Sequence, residues 1–400
     1  MINIIDKANC CGCHACSNRC PQKCISMQAD DEGFWYPKVD SKDCINCGLC
    51  EKVCPILNKS IVENQPTAYA CQIEDDQIRQ QSSSGGVFTI VAASVLANHG
   101  VVFGAGFDRE FNVLHSSVDS IDDLSNFRGS KYVQSCIGNT YEQAKNFLNQ
   151  GRQVLFSGTP CQIAGFKSYL GKEYEGVVCV DIICHGVPSP LVWEQYRNNL
   201  KNNNELMSIS FRDKAFGWKR FSLKITYKND EEYIKDLKSD AFMQGFLKNV
   251  YLRPSCYNCS FKTLARQSDI TLADFWGIEN ILPSFDDDKG TSLILVNSNK
   301  GKEIFLAAAK QMKYEKIDID HAIRYNSAAI KSVDYNPKRD KFFRELPEST
   351  DISQLIGKYT KVSFSRKVYM KVRLLLSQIK RKILYLWDGT EKKGTNMNNS

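Results

Sequence analysis

The chain has 400 residues, of which 42% are hydrophobic, so it is long enough for two or more domains with a full apolar core. Its formal charge of +7 is uneven: nine Lys or Arg and no acidic residue lie between Ile352 and Trp387, and subtracting them leaves −2 elsewhere. A nearly neutral body argues against a nucleic-acid-binding protein. Because no run of 18 apolar residues and no apolar leader before Cys10 are present, we expect neither a membrane-spanning helix nor a signal peptide.

Two cysteine motifs with identical spacing dominate the N-terminal region. Each reads C-x2-C-x2-C-x3-C-P, and the second begins 34 residues after the first. This spacing is typical of bacterial ferredoxins, in which three thiolates of one run and the fourth thiolate of the other run hold each 4Fe-4S cluster. We therefore predict a first cluster on Cys10, Cys13, Cys16 and Cys54, and a second on Cys44, Cys47, Cys50 and Cys20.

The alternatives to these clusters are a zinc site and a disulfide framework. Zinc knuckles need only four ligands in CxxC pairs, so two complete runs of four cysteines fit them poorly. Cys11 and Cys24 fall outside the pattern, and we expect them to be thiols packed near the clusters or alternative ligands. The cysteine content and the unprocessed start indicate a reducing, cytoplasmic location.

The next part of the chain alternates between strand-like and helix-like patterns. A hairpin within residues 30–43 and a linker at 61–67 precede a strand at 68–73. The loop Ser82-Ser83-Ser84-Gly85-Gly86 then leads into an apolar run at 87–96, which predicts a helix. Its N-terminus would either bind phosphate or simply be capped by serine. After a strand at 101–107, which lacks the third glycine of a nicotinamide-binding motif, another is expected at 113–118.

Two predominantly apolar strands are expected to end at cysteine-bearing loops. Residues 154–157 lead to Cys161 and a helix at 162–170, and residues 177–183 lead to Cys184. Strands that alternate with helices predict a mainly parallel α/β core, in which ligands gather at the carboxyl ends of strands. Farther on, Cys256 and Cys259 form a CxxC motif, and a strand at 269–273 leads to Asp274.

The C-terminal region is basic and has helical periodicity. Apolar positions such as Val368, Val372 and Leu375 recur every three or four residues within 352–387. This pattern predicts a basic amphipathic helix that docks on the body, on a partner or on an anionic membrane. Residues 388–400 are expected to be disordered.

Six further stretches, together with the cysteine motifs, resemble the coenzyme F420 hydrogenase/dehydrogenase beta-subunit family in its form with an N-terminal ferredoxin domain. They are SSGG from Ser83, RGSKYVQS from Arg128, GTPCQ from Gly158, CHGVPS from Cys184, RPSCYNC from Arg253 and DFWG from Asp274. The resemblance covers most of residues 1–345. It implies FAD, a further 4Fe-4S cluster in the main domain, and electron transfer between iron–sulfur centres and a two-electron partner.

The candidate flavin contacts combine glycines that let the backbone approach phosphate, one fixed cation and nearby hydrogen-bonding side chains. They are Ser84, Gly85, Gly86, Gly129, Ser130, Lys131, Thr159, His185 and Asp274. The alternative is that the glycines form tight turns on a rigid core and that His185 is structural.

The candidate ligands of the third cluster are Cys161, Cys184, Cys256 and Cys259. They are the cysteines that lie in main-domain loops suited to ligation, and all four fall within the stretches that resemble the family. Cys71, Cys136 and Cys179 are expected to be inert. A zinc site of four cysteines and a CxxC redox pair remain alternatives, since ligand type alone does not separate zinc from iron–sulfur.

The expected fold combines α+β and α/β parts: a ferredoxin-like module at 1–60, a mixed α/β flavin and iron–sulfur domain at 65–345, a basic amphipathic segment at 346–387 and a tail at 388–400. The expected function is an iron–sulfur flavoprotein oxidoreductase whose flavin exchanges hydride with coenzyme F420 or another small acceptor. Its redox partner would be ferredoxin or a dehydrogenase/reductase subunit, in the cytoplasm or at the inner face of the membrane. The alternatives are a non-catalytic electron-transfer subunit, including one linked to polysaccharide biosynthesis, and a redox sensor.

Overall fold

The computed structural model describes residues 1–201 and 204–361. Its strands are β1 (Ile25–Ala29), β2 (Trp35–Val39), β3 (Thr67–Ile73), β4 (Val101–Phe107), β5 (Val113–Val118), β6 (Val154–Gly158), β7 (Val177–Ile182), β8 (Leu206–Asp213), β9 (Ser222–Tyr227), β10 (Glu232–Asp236), β11 (Ile270–Asp274), β12 (Ser292–Val296) and β13 (Met312–Ile317). Its α-helices are α1 (Ala15–Arg19), α2 (Leu49–Lys52), α3 (Asp76–Gln81), α4 (Val87–Leu96), α5 (Thr140–Asn149), α6 (Pro160–Leu170), α7 (Pro190–Leu200), α8 (Ala241–Leu247), α9 (Ile278–Ile281), α10 (Asn299–Ala308), α11 (Ile319–Ile323), α12 (Arg339–Glu345) and α13 (Ile352–Thr360).

The N-terminal module repeats one backbone path around each cysteine motif. Gly12 and Asn46 stand at equivalent positions and both have positive φ, as do His14 and Gly48, which immediately precede α1 and α2. These left-handed residues turn the chain sharply, so that successive cysteines of one run face the same side. Between the two motifs, β1 and β2 pair antiparallel, which confirms the expected hairpin.

The main domain is built on an eight-stranded sheet with strand order β13-β3-β12-β11-β7-β6-β4-β5. Only the pairs β11/β7, β7/β6 and β6/β4 are parallel, and the other four pairs are antiparallel. The expectation of a mainly parallel core is therefore wrong, and the sheet is mixed. The parallel part is the centre, where each crossover carries a helix, whereas β5 and β12 return directly beside their sequence neighbours.

Helices cover both faces of this sheet because successive strand residues point to opposite sides. On one face, Val102 and Leu155 pack with apolar residues of α4 and α10. On the other face, Phe103 and Phe156 pack with α5 and α6. Double-sided burial accounts for the predominantly apolar sequences of the central strands, in which the buried Asp181 of β7 faces Arg266.

A second sheet of three antiparallel strands, β10-β9-β8, forms a separate core with α7, α8, α12 and α13. Helix α13 buries Leu355, Ile356 and Tyr359 in this core, so this part of the C-terminal region docks on the body. The helix ends at Thr360, and Lys361 has φ −57° and ψ 127°. Residues 362–387, which carry the apolar spacing on which the predicted amphipathic helix rests, and the 388–400 tail lie outside the described residues.

The N-terminal module packs directly against the main domain. Helix α6 approaches so closely at Gly165 that a Cβ there would lie 2.8 Å from the sulfur of Cys13. The Asn18 side chain donates to the carbonyl oxygen of Gly138 at 2.8 Å. Buried Arg339 forms an ion pair with Glu32 across the same boundary. Within residues 1–201 and 204–361, no helix has the length and apolar character needed to cross a bilayer.

Candidate redox site

The eight cysteines of the ferredoxin motifs fall into the two expected groups. Burial, followed by the nearby Cys10 and Cys54, raises the pKa of Cys16 to about 12. Burial likewise raises the pKa of Cys13, with Cys16 and Cys10 adding to the effect. The second group, Cys20, Cys44, Cys47 and Cys50, lines a small cavity of its own.

Both extra cysteines of the module contact cluster-type cysteines. The sulfur of Cys24 lies 3.4 Å from the sulfur of Cys20. Cys11 is buried and hydrogen bonds with both Cys13 and Cys161, so it stands where the N-terminal module meets helix α6. This location agrees with thiols packed near the clusters.

A cavity of about 840 Å³ brings together the four main-domain cysteines predicted as ligands: Cys161, Cys184, Cys256 and Cys259. They come from three separate places in the chain. Cys161 occupies the first turn of α6 rather than the strand end, Cys184 follows β7, and the other two lie in and just after a 3-10 helix, Pro254–Asn258. Cys11 and Cys54 also line this cavity.

Backbone N–H groups act on three of these four sulfur atoms. The N–H of Val187 donates to Cys256 at 3.4 Å, and the N–H groups of Gly186 and Phe261 act to lower the pKa of Cys184 and Cys259. Such N–H groups stabilise negative charge on a thiolate, as in the ferredoxin motif, where Gly12 donates to Cys10. Burial nevertheless raises the pKa of Cys184 to about 12, so these thiols need a cation or cluster to ionise.

A second cavity, of about 650 Å³, lies at the carboxyl ends of the central strands. It is lined by eight of the nine flavin candidates, namely Ser84, Gly86, Gly129, Ser130, Lys131, Thr159, His185 and Asp274. Gly85 does not line it. A Cβ on Gly85 would lie 2.4 Å from the carbonyl oxygen of Cys71, so this glycine serves close packing against β3.

The two loops that carry most of these candidates are joined by Ser83. The backbone N–H of Ser130 donates to the Ser83 hydroxyl at 2.7 Å, and the two hydroxyl groups lie 2.9 Å apart. Gly86 has a φ of 86° and precedes α4, so the helix N-terminus opens on the cavity. This arrangement is suited to an anion, because free N–H groups at a helix start favour negative charge.

Arg212 and Lys214 hold the serine–glycine loop from the side of the second sheet. Arg212 donates to the Ser83 carbonyl oxygen at 3.1 Å and to both carboxylate oxygens of Asp274. Lys214 donates to the Ser84 carbonyl oxygen at 3.0 Å and to the carbonyl oxygen of Arg79 at 2.6 Å. Sequence reasoning did not single out these two residues. Their two-residue separation at a strand end is the signal that both face one side.

Two flavin candidates already have strong protein partners. The Asp274 carboxylate also accepts from the Trp218 indole N–H at 3.0 Å, so its oxygens are largely occupied. The His185 Nε2–H donates to Asn249 Oδ1 at 2.7 Å, since the Asn249 amide nitrogen itself donates to Asp334. Burial lowers the pKa of His185, which leaves Nδ1 as an acceptor.

A buried histidine that lines this cavity was missed in the sequence. His115 stacks on Phe156 and donates through Nε2 to the Ser157 carbonyl oxygen at 2.9 Å. Burial lowers its pKa to about 4, so the ring is neutral. Its Nδ1 has no partner among the described residues. Position 115 lies in the expected strand at 113–118, and a histidine directly after two apolar strand residues was the available signal.

The two cavities share a wall. Residues 184–187 line both, with Cys184 and His185 at its start and Val187 at its end. The cavity of the four cysteines and the cavity of the flavin candidates are thus separated by one short segment.

Comparison with known proteins identifies two regions of the chain. Residues 151–322 match the family model that describes the C-terminal part of the beta subunits of coenzyme F420 hydrogenase/dehydrogenase, and residues 9–57 match the 4Fe-4S dicluster domain. Residues 151–322 are thus similar to the C-terminal part of these beta subunits. This confirms the resemblance and the fold class, a ferredoxin-like module followed by a mixed α/β domain. The beta-subunit match spans all four cysteines that are predicted as ligands of the third cluster.

Two individual proteins are also similar. NADH-quinone oxidoreductase subunit I 2 of Geobacter metallireducens is 40% identical over 55 residues, which are 12% of this chain, and the chain spans 42% of that relative's length. A chain of the F420-reducing [NiFe] hydrogenase complex from Methanosarcina barkeri, in a structure with xenon derivatization, has a TM-score of 0.46 and 16% identity. That comparison covers 72% of this chain and 92% of the other.

Proposed function

We propose that this chain is an iron–sulfur flavoprotein oxidoreductase with a continuous path for electrons. The path runs from the two ferredoxin-type clusters, through a third cluster on Cys161, Cys184, Cys256 and Cys259, to FAD in the 650 Å³ cavity. The observation that carries the proposal is the shared wall at residues 184–187. A cluster ligand and flavin contacts within four consecutive residues keep the two redox centres adjacent.

The third cluster is supported by the surroundings of three of the four sulfur atoms. Backbone N–H groups lie near Cys184, Cys256 and Cys259, and such groups tune iron–sulfur centres. A single zinc ion would hold four sulfur atoms about 2.3 Å from itself, in a compact tetrahedron. Among the described residues, no three Cys, His, Asp or Glu side chains are gathered tightly enough for one metal ion.

FAD fits the charge and shape of the other cavity. Lys131 lines it and would offset part of the charge of a pyrophosphate, and the start of α4 offers backbone N–H groups. When bound, a flavin accepts electrons singly from clusters and releases them in pairs as hydride. The hydride acceptor would be coenzyme F420 or another small two-electron acceptor. The half-buried Trp276, stacked on Trp218, offers an apolar surface for a flat ring.

Electrons would enter or leave through the second cluster. Cys47 is exposed, whereas Cys13, Cys16, Cys20 and Cys50 are buried, so this side of the module is accessible to a redox partner protein. The partner would be ferredoxin or a dehydrogenase/reductase subunit. A second candidate function, an electron-transfer subunit without its own substrate, is supported by the similar module in subunit I 2 of a multi-subunit oxidoreductase.

The test is anaerobic reconstitution of the full chain followed by cofactor analysis. Denaturation should release a yellow compound with the mass of FAD, and reduction of the clusters by dithionite or ferredoxin should bleach the flavin. Colour that arises only from iron–sulfur would reject the flavoprotein proposal. A flavin that is reduced but passes electrons to no small acceptor, and does so only to a partner protein, would favour the second candidate.

A further inference from the structure

The fully buried guanidinium of Arg253 lies between the N-terminal module and the main-domain cysteines. It has no exposed surface, and it lines the cavity of Cys161 and Cys256. Its Nε donates to the carbonyl oxygen of Cys10 at 2.8 Å. Its Nη groups donate to the side chain of Gln134 at 3.1 Å and to the carbonyl oxygen of Trp35 at 3.0 Å.

All three of these acceptors are neutral. No carboxylate within the described ranges lies within ion-pair distance of Arg253, although Tyr36 presents its ring face at 4.2 Å. Arg212 and Arg339 are buried to a similar degree, and each faces a carboxylate, Asp274 and Glu32. A buried charge without a counter-charge is costly, so the missing negative group must come from something else at this place.

Cysteine thiolates are the anions within reach. Arg253 Nε donates to the backbone of Cys10 itself, and a Cβ on Gly12 would lie only 2.9 Å from an Arg253 Nη. Cys161 lines the same cavity as Arg253. One fixed cation therefore lies beside a ligand of the first ferredoxin cluster and a cysteine of the third site.

We propose that Arg253 is the shared counter-charge of these two iron–sulfur centres and raises the reduction potential of both. A 4Fe-4S cluster with four thiolates is anionic, and reduction adds one more negative charge. A fixed buried cation stabilises the reduced form more than the oxidised form, as local charge and hydrogen bonds do for such clusters. The part that concerns Cys161 rests on the proposed third cluster, whereas the part that concerns Cys10 does not.

The test is a redox titration of the reconstituted full chain, followed by electron paramagnetic resonance and preceded by iron analysis. In Arg253→Gln, the ratio of reduced to oxidised first cluster at a fixed potential should fall, and a tenfold fall corresponds to 59 mV for one electron. Arg253→Lys, which keeps the charge, should stay closer to the wild type. An Arg253→Gln protein with full iron content and unchanged potentials would overturn the proposal.

A second variant tests the proposal even if Arg253→Gln fails to keep its clusters. Gln134→Glu is nearly isosteric and places a carboxylate on the guanidinium, so it should lower the same potential; no change there would also overturn the proposal. The matched control is Arg339→Gln, which removes a buried cation from the same boundary but not from beside a cysteine, and should leave the potentials unchanged. Iron content shows separately whether the third cluster exists: about twelve irons indicate three clusters, and about eight indicate two. With only two clusters, the expected effect of Arg253 on the first cluster remains.

Discussion

Lys131 links flavin binding to pH. Its ammonium donates to the carbonyl oxygens of Asn126 and Arg128 at 3.0 Å, and burial lowers its pKa to about 7. Without flavin it is therefore neutral above that pH, whereas a phosphate beside it would keep it charged. Because binding then takes up a proton, the Kd for FAD should rise with pH above 7, by at most about tenfold per pH unit. Fluorescence titration of the apoprotein across neutral pH measures this.

The control variants for Lys131 separate charge from structure. Lys131→Ala should bind FAD more weakly and lose the pH dependence, because a charge-assisted contact of roughly 1.5–3 kcal/mol is removed. Lys131→Arg should keep the affinity without the pH dependence, since arginine stays protonated. Equal FAD affinity in the wild type and the alanine variant at every pH would exclude a phosphate contact.

The ion pair of Arg212 with Asp274 should be important for stability as well as for the cavity. Both side chains are largely buried, and Asp274→Ala would leave the guanidinium without its counter-charge. We expect the free energy of unfolding to fall by about 3–5 kcal/mol, as for other broken buried pairs. Anaerobic urea denaturation, followed by tryptophan fluorescence, measures this, and Asp76→Ala at an exposed pair should leave the midpoint nearly unchanged. A similar midpoint in both variants would contradict the prediction.

At the scale of elements, the serine–glycine loop depends on the end of β8. Lys214 donates to the carbonyl oxygens of Arg79 in α3 and of Ser84 and Lys289 in two loops, so three chain segments converge on one ammonium group. Lys214→Met should release them and lower FAD retention after gel filtration, while the iron content stays at the wild-type level. Lys289→Met, which loses only an exposed ion pair with Asp76, is the matched control and should retain FAD. Loss of iron together with FAD would indicate general unfolding instead.

Elements with a strong local signal were predictable from the sequence. Helix α4 and the central strands β6 and β7 follow apolar runs whose character results from burial on both faces. Pairing partners were not predictable in the same way. The antiparallel pairing of β12 with β3 depends on contacts between residues more than 220 positions apart, such as Ser292 and Cys71, which no local pattern records.

The same distinction applies to the candidate site. Glycines, cysteines and loop motifs identified eight of the nine cavity-lining candidates, because such residues carry their chemistry in their type. Gly85 was wrong as a cavity residue, since a glycine that permits close packing looks identical in sequence to one that admits a ligand. Arg212 and Lys214 were missed because their function depends on which loop lies opposite them. Arg253 was noted only as part of a motif.

At the scale of the whole molecule, the domains are arranged so that the redox candidates follow one another. The exposed Cys47 side, the buried Cys10 to Cys16 group, the cavity of Cys161 and the flavin cavity are neighbours in that order. Cys11 contacts both Cys13 of the first ferredoxin group and Cys161 of the next cavity. Removing the proposed third cluster should therefore stop electron transfer between the ferredoxin-type clusters and the flavin without unfolding the parts that hold them.

Cys256→Ala tests this separation. Cys256 lies in the third site, and its sulfur accepts from the Val187 N–H at the shared wall. The variant should lose about four of about twelve irons, because one cubane is removed and the two ferredoxin clusters remain. Dithionite-reduced ferredoxin should still reduce the N-terminal clusters, but bleaching of FAD should become much slower than in the wild type.

Cys71→Ala is the matched control: this cysteine is fully buried in β3 and lines neither cavity, so iron content and flavin bleaching should be unchanged. Full iron content in the Cys256→Ala protein would exclude a third cluster at this place, whereas lost iron with normal bleaching would mean that electrons reach the flavin by another path.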